Sequence, residues 1–155
     1  MNLPRVRACL HAALFTLSLV LTRREEAQQP LVTPDEVERI GGLKGIVPTP
    51  PGMEIADSRS FMRAADSAIV LILGIPKASS PADFAAARTA LTPNQPIPGV
   101  GDDAFSIAGG STILVRRGNR QVQVSTGYDV TKLGAPFFTP AQLRELANIA
   151  VARLK

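Results

Sequence analysis

Gly99-Val100-Gly101-Asp102-Asp103-Ala104 has the G-x-G-x-x-A spacing of a dinucleotide-binding turn. In that chemistry the glycines let the backbone approach a pyrophosphate at the start of a helix. The surroundings are wrong for it. Pro96 and Pro98 precede the motif where a strand is needed, and a strand pattern follows where a helix must begin. Two carboxylates would also face the pyrophosphate. A glycine turn leading into a strand accounts for the pattern. Asp102 and Asp103 offer oxygens to a hard cation, but Ca²⁺ takes about six to eight, and no neighbouring loop supplies them.

Arg116, Arg117 and Arg120 flank Gly118-Asn119. Three arginines at a hairpin tip are suited to grip phosphate, an anionic lipid head or an acidic protein surface. The plainer reading is a solvated turn that discourages edge-to-edge pairing. Tyr128, Phe137 and Phe138 precede a helix-start signal. They are candidates for a binding lip, with a hydrophobic staple as the plainer role. A carboxylate mechanism would need Asp102 to converge with Asp66 or Glu54 in a cleft and one pKa to shift. Ser111 has no histidine to activate it, and neither G-x-S-x-G nor S-x-x-K occurs.

Arg5 and Arg7 precede an apolar run from Ala8 to Leu21, and a polar flank follows through Pro30. This is the layout of a secretory signal peptide, with cleavage expected after Ala27 and a mature domain over residues 28–155. The run is short for a membrane span, so no transmembrane segment is expected after processing. The leader removes the only cysteine, Cys9, and the only histidine, His11. The mature chain then has no thiolate nucleophile, no imidazole base and no soft ligand for zinc, copper or an iron–sulfur cluster. No cofactor and no metal is expected. The mature chain keeps 13 basic against 11 acidic residues, a net charge of +2. That excess is too small and too dispersed for a nucleic-acid partner.

Three segments carry the same helix-start chemistry. Thr33-Pro34-Asp35-Glu36, Ser80-Pro81-Ala82-Asp83 and Thr139-Pro140-Ala141-Gln142 each place a hydroxyl at the N-cap and proline at the first helical position. An acid or amide three residues on completes the cap. Helices are predicted near 34–41, 81–91 and 140–154. Thr92-Pro93-Asn94-Gln95 repeats the pattern, but Pro96 and Pro98 follow at once, which predicts a loop. Ile69 to Leu73 reads as a central strand, paired with Ser58 to Arg63 across Ala64–Ser67. Ala104–Ala108, Thr112–Arg116 and Gln121–Thr126 read as three more. The order α-β-β-α-β-β-β-α with short turns predicts an α+β fold: an antiparallel sheet of about five strands with three helices.

Gly99-Val100-Gly101-Asp102-Asp103-Ala104-Phe105, Leu114-Val115-Arg116-Arg117-Gly118-Asn119 and an ending at Ala152-Arg153-Leu154 resemble a group of small exported bacterial proteins. These share a G-x-G-D-x-A-F … L-x-V-R-K-G-N pattern, and many are uncharacterised or lipoproteins. The resemblance spans most of residues 31–155. It implies a compact α+β domain similar to the PsbP-like sandwich, with no catalytic residues to carry over. The cysteine that would bear a lipid is absent here.

Three functions follow as expectations. The first is a non-enzymatic periplasmic or secreted domain that binds an envelope protein or a small or anionic ligand. The second is a metal-free hydrolase or lyase built on carboxylates. The third is attachment to an anionic envelope surface through the arginine hairpin.

Overall fold

The computed structural model describes residues 30–155. The expected leader, with Cys9 and His11, lies outside the described residues. The order is α1 (Pro34–Gly41), β1 (Ile46–Pro48), β2 (Ser58–Arg63), β3 (Ala68–Gly74), β4 (Lys77–Ala78), α2 (Pro81–Ala90), β5 (Asn94–Pro96), β6 (Asp103–Ile107), β7 (Thr112–Arg117), β8 (Arg120–Thr126), β9 (Tyr128–Asp129), β10 (Ala135–Pro136) and α3 (Pro140–Ala152). The three helices begin where their caps predict. Each has a complete capping box, through Thr33 and Glu36, Ser80 and Asp83, and Thr139 and Gln142.

The fold is α+β and antiparallel, but the main sheet has eight strands rather than about five. Its order is β1-β2-β3-β8-β7-β6-β5, with β4 also pairing β8. A separate ribbon joins β9 and β10. The five long strands are those the sequence predicts, including the pairing of β2 with β3. The extra strands β1, β4 and β5 have two or three residues each, too few to show a period of two. The expected loop at 92–95 is therefore corrected in part: Asn94–Pro96 forms an edge strand on β6. Asn94 also donates its side-chain amide to the carbonyls of Arg88 and Leu91 at the end of α2. Pro48 and Pro96 end the two edge strands and limit further pairing.

Alternation assigns the two faces. Ala104 pairs with Val115, Ile113 with Val124, and Val115 with Val122, all on one face. They share a core cluster with Val37 and Ile40 of α1 and Leu143, Leu146 and Ala150 of α3. One residue out of phase, Phe105 pairs with Leu114 on the opposite face, where Phe84 of α2 covers them. The Phe84 and Phe105 rings meet edge-to-face with centroids 5.2 Å apart. Among the described residues, no helix is long and apolar enough to cross a membrane.

Candidate functional site

The hairpin between β7 and β8 separates the three arginines. Gly118 has φ +57, as the first central position of a type II′ turn requires. Arg117 opposes Arg120 across the strand ends on the helix-covered face, and Arg116 opposes Gln121 on the other. Arg117 donates to the carbonyls of Val151 and Ala152, each at 3.2 Å, and so satisfies the last turn of α3. Arg116 donates to Gly118 O at 2.6 Å and lies 3.5 Å from Asp102. Arg120 turns inward, and its only acceptor among the described residues is Pro76 O at 3.5 Å. The three do not form one exposed cluster.

The glycine motif braces this hairpin. A Cβ on Gly101 would lie 2.5 Å from Arg116 O, so glycine permits the close approach of the loop to β7. Asp102 N donates to Arg116 O, and Asp102 Oδ2 accepts from Gly118 N at 2.7 Å. Asp103 points elsewhere and pairs with Arg88 at 3.2 Å. Asp66 pairs with Arg63, whose hydrogen bond holds that carboxyl below its ordinary pKa. Glu54 lines a cavity that neither Asp66 nor Asp102 lines. Asp102, Asp66 and Glu54 are therefore not brought together. Among the described residues, no group of three or more His, Cys, Asp or Glu side chains is placed to hold a metal ion.

The aromatic trio also divides. Phe138 is buried in the core at the residue before the N-cap of α3, and Leu143, at the fourth helical position, shares its cluster. That is the staple arrangement. Phe137 is half-buried, with the Arg63 guanidinium 5.2 Å from its ring centroid. Tyr128 is exposed.

A cavity that no sequence motif announced lies at the opposite end of the sheet from Tyr128. It measures about 340 Å³ and opens between the segment at Leu31 and Val32, strands β2 and β3, and the C-terminal residues after α3. Leu31, Val32, Phe61 and Leu73 supply apolar wall, and Arg59, Arg120 and Glu54 supply polar groups. Alternation explains why they meet: Arg59 pairs with Leu73 and Phe61 with Leu71 on the helix-covered face. Arg153 also borders the cavity, but Glu36 takes it at 2.6 Å and the carbonyls of Pro30 and Leu31 accept from it. A second cavity of about 290 Å³ lies on the other face beside Ser58, Ile72, Gln121 and Gln123. Of the larger cavity's lining, the sequence singles out as candidates only Arg120, within the hairpin cluster, and Glu54, as a carboxylate to converge with Asp102; residues this far apart along the chain leave no local pattern. No protein-family model, no curated protein and no solved structure matches this chain.

Proposed function

We propose that this chain is an exported, non-enzymatic binding domain that holds a small molecule with an apolar body in the 340 Å³ cavity. The observation that carries the reading is the cavity itself, within a face that α1 and α3 otherwise fill. Its volume falls in the range of about 300–1,000 Å³ typical of small-molecule sites. A closed apolar cavity of about 150 Å³ is enough for benzene. The motif resemblance to small exported bacterial proteins fits the same reading. The dispersal of Asp66, Asp102 and Glu54 gives a carboxylate mechanism no support.

The test is a titration of the full chain with 1-octanol, followed by amide chemical shifts. Shifts concentrated at Leu31, Val32, Phe61 and Leu73, with a rise in melting temperature through preferential binding to the folded state, are the expected result. Absent or scattered shifts would remove the reading.

A further inference from the structure

We infer that the ligand of this cavity is an organic anion, an apolar body ending in one carboxylate, whose head is held by Arg120 with Arg59 beside it. The inference rests on the reading of the cavity as a ligand site and adds the charge and chemistry of what enters.

Seven of the nine arginines in the described residues pair with a carboxylate or donate to a backbone carbonyl at 3.2 Å or less. Arg39, Arg63, Arg88, Arg116 and Arg153 meet carboxylates. Arg117 and Arg144 donate to backbone carbonyls. The remaining two, Arg59 and Arg120, both line the cavity. Arg120 has no carboxylate within 4.0 Å among the described residues, and its one hydrogen bond is at the 3.5 Å limit. Its Nε is buried without a partner.

A buried donor without an acceptor is costly, so a native fold that keeps one invites an explanation. Arg116 Nε is also buried and unpartnered. There, however, the guanidinium already holds Gly118 O and Asp102, and Arg116 lines neither cavity. At Arg120 no carboxylate among the described residues lies within 4.0 Å, and the cavity lies beside it.

The two Nη groups of a guanidinium form a planar fork that a carboxylate fits with two parallel hydrogen bonds. Arg153, which borders the same cavity, shows the result within this protein: Glu36 accepts from its Nη1 at 2.8 Å and its Nη2 at 2.6 Å. A ligand carboxylate entering from the cavity would meet the Nη groups of Arg120 in the same way and replace the long contact to Pro76 O, with the buried Nε left inside the wall. Glu54 at the same cavity opposes a second negative charge, which favours a monoanion. The apolar tail then lies along Leu31, Val32, Phe61 and Leu73.

The experiment compares octanoate with 1-octanol on the full chain by isothermal titration at neutral pH. Octanoate should bind about tenfold or more tightly, as expected for a charge-assisted hydrogen bond in a low-dielectric site. Arg120→Gln should bring octanoate down to the affinity of octanol and leave octanol unchanged. Arg120→Lys, which keeps the charge and loses the fork, should give an intermediate value, and it decides the matter should Arg120→Gln fail to fold. Arg59→Gln should weaken octanoate by a few-fold and reduce its salt dependence. Equal affinity for octanol and octanoate, or octanoate binding indifferent to both Arg120 variants, overturns the anion inference while the cavity reading stands. Binding of neither probe removes both.

Discussion

Glu36 performs two tasks from one position in the first turn of α1. Its carboxylate accepts from Thr33 N at 2.8 Å to close the capping box, and it takes the Arg153 guanidinium through both oxygens. The Arg153 hydrogen bond is the main reason its pKa lies below the ordinary carboxylate value, with burial acting against it. For a carboxyl depressed in the folded state, the stabilisation is complete above the unfolded-state pKa of about 4.3 and fades as pH falls through the folded value. Glu36→Gln should therefore cost about 1–3 kcal/mol at pH 7. The gap to the unmodified protein should close below about pH 4, read from urea melts across pH. A gap that persists at low pH would mean the amide disrupts packing rather than an ion pair. The cap was legible because its partners lie three residues apart. The pair was not, because Arg153 stands 117 residues away and only the fold brings it near. The hairpin arginines teach the same lesson: their clustering is visible in sequence, while the period of two sends Arg116 to one face and Arg117 and Arg120 to the other.

At the scale of elements, the β9–β10 ribbon exposes apolar side chains around one buried carboxylate. Asp129 is buried beneath it, accepts from Thr131 N and Oγ1, and sits 3.7 Å from Arg63. Its carboxyl is held below the ordinary pKa, chiefly by the Thr131 hydrogen bond. Above that anchor Val130 is 84% exposed and Leu133 is fully exposed with φ +55. Leucine in the left-handed region is strained and gains nothing from burial here. Leu133→Gly should raise stability by about 0.5–1 kcal/mol, the strain relieved less the added chain entropy, as a higher midpoint in calorimetry. A lower midpoint would show that this side chain packs in solution. The ribbon was not foreseen, for the same reason that β1, β4 and β5 were not. Two or three residues show no alternation, and their pairing is decided by longer neighbours. The helices and the five long strands were legible because caps and periodicity are local. The cavity was not, since its walls come from residues 31–32, 59–61, 73 and 120.

The molecule as a whole is built unequally about its sheet. One face carries α1, α3 and a core of twenty buried residues, so its side chains interlock across many contacts. The other holds three, and Phe84 is the only buried residue of α2. That ring, set edge-on against Phe105, is the helix's one buried apolar anchor, beside the Arg88–Asp103 pair and the Asn94 bonds at its end. Removing a buried phenylalanine costs roughly 3–5 kcal/mol in a core that cannot collapse. Here the helix is free to lift away, so Phe84→Ala should act locally. Amides of Ala85–Ala90 should lose most of their protection against hydrogen exchange, while those of β7 and β8 keep theirs. The cavity proposed to take octanol lies on the other face, so its affinity should change by less than about twofold, the behaviour of distant sites without shared partners. If β7 and β8 lose protection in step with α2, the two faces unfold as one unit, and α2 is part of the cooperative core rather than a separately docked cover.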